Sequence, residues 1–327
     1  MIKYKNGFQD GVKMSKFLIT GGAGFIGSHL SEYLLRKGHH VRILDNFSTG
    51  KKENISFIKS YPKSCYEVVK GDIRSLKMCE ASCAGMDFVF HQAACKAVPK
   101  SIKNPHLFNE VNINGTLNLL QASVKHKVKR FVFASSSSVY GDSNIFPQKE
   151  NHLSGPLSPY GVTKLAGEHY CGVFSNLYGL PTVCLRYFNV FGPRQDFEDI
   201  YSAVIVKFMR LLLNKQQPPV FGDGHQSRDF TYVDNVVQAN YLAALKGKIR
   251  HEVFNAAMGE SHSILDLIRC LNKLTRQDIE PCFKPIRAGD IYKSQSDISK
   301  IRKMINFKPT VSFETGLKKT LDYIKQC

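Results

Sequence analysis

The chain has 327 residues, of which 43% are hydrophobic, and its 45 lysines and arginines against 27 acids give a formal net charge of +18. That length allows one large α/β unit or two lobes around an ordinary hydrophobic core. The basic residues are scattered, without a long basic run or basic–aromatic interleaving, which argues against a nucleic-acid surface and for an anionic small ligand.

Residues 1–15 are polar and lack the apolar core of a signal peptide, so they are expected to form a frayed N-terminal extension. From Lys16 the pattern sharpens. Phe17, Leu18 and Ile19 form a short apolar run that stops at Thr20; Gly21, Gly24 and Gly27 follow at three-residue spacing. Phe25, Ile26, Leu30, Leu34 and Leu35 then continue at helical spacing. Gly38 ends that helix, and 41–44 is a second buried strand. Glycines at a strand-to-helix turn let the backbone approach a pyrophosphate, and the helix N-terminus supplies N–H donors and positive dipole. Asp45 lies 24 residues after Gly21. A carboxylate there accepts hydrogen bonds from a ribose diol and repels a 2′-phosphate, which predicts NAD rather than NADP.

Residues 46–54 (NFSTGKKEN) read as a polar loop of turn formers. Residues 66–70 are a third strand, followed by Asp72, an acid placed to reach the adenine side of a dinucleotide or to cap a helix from Arg74. Residues 86–91 form a fourth strand ending in Gln92-Ala93-Ala94, where small side chains leave room for a cofactor. A long helix is expected over 108–125 and a fifth strand over 130–134. Strands alternating with helices predict a doubly wound parallel sheet, whose ligands sit beyond the carboxyl ends of the strands.

The fifth strand runs into SSSSVYGD, so hydroxyls at 135–138 can face a ligand. Tyr160 and Lys164 are four apart at the start of a helix reaching about residue 177, and share one face. An ammonium beside a phenol stabilises the phenolate and lowers its pKa, which suits a base that takes a hydroxyl proton near neutral pH. A sixth strand is expected at 181–187, an amphipathic helix at 201–213 and a strand and turn at 220–223. RDFTYVDN at 228–235 is expected to return to the main sheet and open another helix, and 263–274 and 313–324 read as amphipathic helices. Arg228 offers a guanidinium that matches phosphate oxygens. The nine cysteines show no CxxC and no metal-type spacing with histidine, which predicts reduced thiols, a reducing cytoplasmic compartment and no metal. No apolar run approaches the ~20 residues that span a bilayer, so no membrane partner is expected.

TGGAGFIG, the serine cluster before VYG, and YGVTK together resemble the extended short-chain dehydrogenase/reductase family. The resemblance runs from Lys16 to the C-terminus, and within the family the chain is most similar to the UDP-N-acetylglucosamine 4-epimerases. It implies an α/β fold. A Rossmann-type NAD-binding domain would cover 16–188, joined by about 229–260. A smaller substrate-binding lobe would be built from 189–228 and 261–327. Cofactor contacts implied by the resemblance are Gly21, Gly24, Phe25, Ile26 and Gly27 in the turn and Asp45, Asn46, Ser48, Thr49 and Gly50 after the second strand. Asp72 with Ile73, then Gln92, Ala93, Ala94 and Lys96, and finally Tyr160, Lys164 and Tyr187 complete that set. The implied substrate contacts are Val98, Ser101, Ser136, Tyr160, Asn189, Val204 and Arg228, with Arg287 and Asp290 of an R-x-G-D element clamping the nucleotide and Ser294 against the sugar.

Dehydratases of the family carry an Asp-Glu pair before VYG and decarboxylases a Glu; here Ser137 and Ser138 stand there, so simple epimerisation at C4 is expected. Tyr160 would take the C4 proton, with hydride passing to NAD and returning to the opposite face. Ser136, with Ser137 or Ser138, would bond the same oxygen, and Lys164 would hold the nicotinamide ribose. HQAACKAVPKS and RYFNVFGPRQD resemble UDP-N-acetylhexosamine 4-epimerases, in which a small residue at position 294 admits an N-acetyl group. The expected substrates are therefore UDP-GlcNAc and UDP-GalNAc, with UDP-glucose and UDP-galactose weaker. UDP-glucuronate is the alternative, its carboxylate met by Lys96 or Lys293; a non-catalytic NAD-binding sensor or scaffold is the alternative of another class. Relatives pair through two long helices, here 105–126 and 159–178, which implies a homodimer.

Overall fold

Runs of β-branched and aromatic residues build seven strands: β1 (Lys16–Thr20), β2 (His40–Asp45), β3 (Tyr66–Lys70), β4 (Phe88–His91), β5 (Arg130–Ser136), β6 (Thr182–Tyr187) and β7 (His251–Ala256). A computed structural model describes residues 14–196, 204–286 and 292–326. The strands form one parallel sheet in the order β7-β6-β5-β4-β1-β2-β3. The order reverses between β1 and β4, and such a reversal opens a crevice at the carboxyl ends of the two strands. Thr20 and His91, paired in register, mark its floor.

Side chains alternate across the sheet with period two. Phe17, Ile19, Phe90 and Val132 bury on one face with Leu30 and Leu34 of α1 (Phe25–Arg36) and with Val236 of the Val233–Leu245 helix. Leu18, Val89, Phe131 and Phe133 bury on the other with Cys79 of α2 (Leu76–Cys83), Leu119 of α3 (Gly115–Lys125) and Phe174 of α4 (Pro159–Tyr178). A third core joins Phe208, Leu267 and Leu317 of the Val204–Leu213, Ile264–Thr275 and Phe313–Ile324 helices.

Four local expectations are corrected. Residues 228–235 do not return to the main sheet: Thr231–Tyr232 pairs only with Val190–Phe191, because a helix begins at Val233. The strand that joins the main sheet is β7, some twenty residues later. The polar loop at 46–54 is interrupted by a 3-10 helix over Lys52–Ser60, which buries Ile55 and Ile58. The helix expected over 108–125 starts at Pro105 and contains a π-helical turn at Glu110–Asn114. Ser75 rather than Asp72 caps the next helix, accepting the Met78 N–H at 3.3 Å, while Asp72 accepts the Arg74 N–H at 2.9 Å.

Candidate active site

The glycine turn links β1 to α1. Gly21 has φ +67° and a Cβ there would lie 2.8 Å from the Ala93 backbone, so only glycine lets the β1 and β4 loops touch. A Cβ on Gly27 would sit 2.2 Å from the Gly21 carbonyl oxygen, which brings the first turn of α1 against the loop. Gly24 is the N-cap of α1 and brings no side chain to its first N–H groups, leaving them to an anion.

Asp45 ends β2. Its two oxygens accept the Ala23 N–H at 2.9 Å and the Phe47 N–H at 2.8 Å, and burial pushes its pKa up. A Cβ on Gly50 would lie 2.9 Å from both carboxylate oxygens. This is a cradle that only glycine leaves open, and it fits a ribose of NAD. Asn46 donates to Asp72 at 2.9 Å, and Ser48 and Thr49 are exposed beside it. The Arg74 guanidinium holds the Asp72 carboxyl down to about 2, so this acid stays ionised beside buried Ile73. On the other lip, Ala93 N–H donates to Thr20 Oγ1 at 3.2 Å, with Ala94 beside it. Gln92 donates to the buried Tyr187 hydroxyl at 3.0 Å, and Asn240 donates to the same oxygen at 2.8 Å. Phe25 and Ile26 face the third core from α1.

At the end of β5, Ser138 N–H donates to Ser136 Oγ at 3.1 Å, and Ser136 Oγ to Ser138 Oγ at 3.1 Å. Ser137 stands half-exposed between them. Ser136 also bonds the Tyr160 hydroxyl, which opposes the effect of burial on that phenol. Lys164 donates to the Ala134 carbonyl at 2.8 Å and lies 5.8 Å from the Tyr160 ring centroid. The expected lowering of the Tyr160 pKa is corrected: burial dominates and raises it. The ammonium is committed to a backbone carbonyl, and its own pKa is pushed down by burial to about 8.

Asn189 is exposed, with φ +34°, and donates to the Asp229 carbonyl at 3.2 Å. Arg228 donates to the Ser227 carbonyl at 2.9 Å, and Ser294 N–H donates to that same carbonyl at 3.0 Å. Ser294 is thus buried one residue away from Arg228 across a short ladder. Val204 begins its helix on the third core. Lys96 and Val98 are exposed at the mouth, but the Ser101 hydroxyl is turned inward to the Val98 carbonyl at 2.6 Å. Arg287 and Asp290 lie outside the described residues. No group of three metal-ligating side chains occurs among the described residues.

Two features escaped the sequence. Asn112, in the π-helical turn, accepts Cys95 N–H at 2.7 Å and donates to Thr163 Oγ1 at 3.0 Å, tying the β4 loop to α4. An amide at an apolar phase of the helical pattern was its only signal. Glu168, one turn beyond Lys164, pairs with Arg186 of β6 at 2.7 Å with both side chains buried, and takes the Ser135 hydroxyl as well.

A glycine turn, a buried carboxylate and a Ser–Tyr–Lys cluster thus lie at the carboxyl ends of the parallel strands. A model described as NAD dependent epimerase/dehydratase family matches residues 17–257. The chain belongs to that family. A putative UDP-glucose 4-epimerase of Methanocaldococcus jannaschii is 39% identical over 310 residues, 94% of this chain and 98% of the relative. The solved UDP-N-acetylglucosamine 4-epimerase of Methanobrevibacter ruminantium, in complex with UDP-N-acetylmuramic acid, is 39% identical with a TM-score of 0.91, covering 97% of this chain and all of that one, 100%. The UDP-glucuronic acid 4-epimerase of Bacillus cereus, solved with UDP-glucuronic acid and NAD, is 37% identical with a TM-score of 0.85 over 95% of this chain and 99% of its own. This family member is an enzyme and uses NAD.

The Lys164 ammonium gives a pH test. Folding lowers its pKa from 10.5 to about 8, so the charge is present at pH 7 and lost as pH rises through about 8. The unfolded chain still holds that proton between the two values, so the burial cost fades above pH 8. NAD affinity of the cofactor-free protein, measured by calorimetric titration, is expected to fall several-fold from pH 7 to 9.5. A flat profile would contradict a cofactor contact through this ammonium.

Proposed function

We propose that this NAD-dependent UDP-sugar 4-epimerase interconverts UDP-GlcNAc and UDP-GalNAc, with UDP-glucose and UDP-galactose as weaker substrates. Ser294 carries the proposal. It is small, 7% exposed, and pinned through its backbone to the residue before Arg228. With Arg228 on the diphosphate, a small side chain at 294 would admit an N-acetyl group that a larger one would exclude. The similarity to the Methanobrevibacter enzyme supports the same reading.

In this mechanism Tyr160 would remove the C4 hydroxyl proton as its phenolate, a form that the positive charge of bound NAD would favour against the effect of burial. Ser136, held by the Ser138 N–H, bonds that oxygen and the ketone that replaces it. Lys164 fixes the nicotinamide ribose, and Asn112 keeps the β4 loop against the Tyr160 helix. Bound NAD supplies the hydride acceptor at C4 and the donor that restores it. The 4-keto sugar turns over while Arg228, with Arg287 and Asp290, holds the nucleotide, so hydride returns to the other face. We further assign 16–188 with 229–260 to the NAD domain, the remainder from 189 to the substrate lobe, and a homodimer to the 105–126 and 159–178 helices. Exposed Val162, Val173 and Leu177 lie along one flank of the latter.

Ser294→Tyr is expected to reduce kcat/KM for UDP-GlcNAc by about 10–100-fold and to spare UDP-glucose, because excluding a small group from a pocket has effects of that size. Chromatographic separation of the products checks both. Equal loss on both substrates would sink the Ser294 gate. UDP-glucuronate is the second reading: its carboxylate would need a cation, and Lys293, beside Ser294 with its ammonium 5.1 Å from the Phe146 ring centroid, is a candidate. Turnover of UDP-glucuronate alone would favour it.

A further inference from the structure

Past β6 and Asn189 the chain enters the third core at Phe191, and residues 193–196 then form a strap against α1. The Pro193 carbonyl takes a hydrogen bond from His29 Nε2 at 2.9 Å; burial keeps that imidazole neutral, with its pKa near about 4. Arg194 donates to Glu32, and to Ser28 at 3.4 Å, both on α1, and its guanidinium lies 5.1 Å from the Phe57 ring centroid. Asp196 pairs with Lys51 at 3.3 Å. Lys51 belongs to the segment after β2, which holds the glycine turn. The Lys51 N–H and the Asn54 side chain both donate to the Ala23 carbonyl, at 3.1 and 2.9 Å.

Two segments far apart in sequence therefore hold the glycine turn and the first turns of α1, one on each, and the Lys51–Asp196 pair joins them. The chain of contacts they close includes the glycine turn and the start of α1, a helix end suited to the pyrophosphate of a dinucleotide. We propose that the 193–196 strap is a clasp that retains NAD between turnovers, with Arg194 as its anchor on α1 and Lys51–Asp196 as its latch. These are positioning residues, remote from the Tyr160 chemistry. An enzyme that regenerates its cofactor within each cycle gains nothing from releasing it, and opening such a ring acts on dissociation rather than on the chemical step. Arg194 and Glu32 are largely buried at 17% and 15% exposure, against 44% and 31% for Lys51 and Asp196. The anchor therefore outweighs the latch, whose charges are screened by solvent.

The test uses NAD-loaded protein and three variants: Lys51→Glu, the exchange Lys51→Glu/Asp196→Lys, and Arg194→Gln. The readouts are the rate at which NAD leaves after dilution into an excess of an NAD-consuming dehydrogenase, kcat at saturating NAD, and the melting temperature. Lys51→Glu is expected to speed release about threefold, as an exposed ion pair allows. The exchange is expected to bring release back to within about twofold of wild type, and Arg194→Gln to speed it about tenfold or more. In each variant kcat at saturating NAD stays within about twofold of wild type, since the reacting groups are untouched. Release at the wild-type rate in both Lys51→Glu and Arg194→Gln overturns the clasp. So does faster release accompanied by a lower melting temperature and no recovery in the exchange, which marks a merely structural role. A wild-type protein that neither carries nor takes up NAD would contradict the cofactor itself, a different failure from a clasp that leaves NAD bound and its release unaltered.

Discussion

Tyr160→Phe is expected to lower kcat by about 10²–10⁴-fold, the usual worth of a positioned acid–base group, while bound NAD and the melting temperature stay at wild-type levels. The substitution removes one oxygen and leaves the ring, which meets Phe108 edge-on at 6.4 Å between centroids. Nothing in the packing of α4 changes, so a loss of turnover reads out the hydroxyl alone. Burial holds this phenol above its ordinary pKa, so in the cofactor-free protein it is protonated at neutral pH. Its bond with Ser136 is the one local effect that lowers it. Ser136→Ala should therefore act in the same direction as Tyr160→Phe and by less. Steady-state turnover beside the absorbance of bound NAD measures both effects. Wild-type turnover in Tyr160→Phe would remove the tyrosine from the mechanism.

Arg186→Leu is expected to cost about 3–5 kcal/mol, the penalty of leaving a buried charge without its partner. Glu168 receives Arg186 through two bonds, at 2.9 and 2.7 Å. Its side chain is 4% exposed, so without the guanidinium it has no solvent to turn to. Arg186 also stacks 4.6 Å from the Tyr140 ring centroid, and Tyr140 donates to Asn255 of β7 at 2.7 Å, so the loss spreads to the next strand. Replacing both charges, as in Arg186→Leu/Glu168→Leu, is expected to recover much of the stability, because an apolar pair of similar volume avoids the stranded carboxylate. Urea titrations of the three proteins decide the point. A single variant as stable as the wild type would mean that the pair is dispensable. The pair matters to the chemistry because Glu168 is one helical turn from Lys164 and Arg186 immediately precedes Tyr187. It locks the helix that carries Tyr160 and Lys164 against β6.

Local signals were readable and distant pairings were not. β1, the glycine turn and α1 were legible because a period change from two to 3.6 coincides with three glycines that the backbone contacts require. β3 and the Phe313–Ile324 helix were located to the residue by pattern alone. β7 was missed because HEVFNA is half-exposed along its first three residues, so its apolar signature is only three residues long. The Lys52–Ser60 helix hides two buried isoleucines among lysines and polar residues. Asn112 and Glu168 find partners 51 and 18 residues away, and nothing near them in the chain announces those partners. The Tyr160 pKa was misjudged because spacing on a helix shows that an ammonium is near but not which carbonyl it prefers. Here the Ala134 oxygen at 2.8 Å wins.

The position of β7 also bears on how the protein is made. β6 is buried along its whole length, with β5 on one side and β7 on the other. A ribosome delivers β7 only after the Val204–Leu213 and Val233–Leu245 helices have emerged. Until then the nascent sheet ends in an open, apolar strand edge of the kind that recruits foreign strands. The chain on both sides of β6 is thus one synthetic unit. Cutting the chain after β6 would not release a self-sufficient sheet, because the strand that seals its edge is encoded beyond the cut.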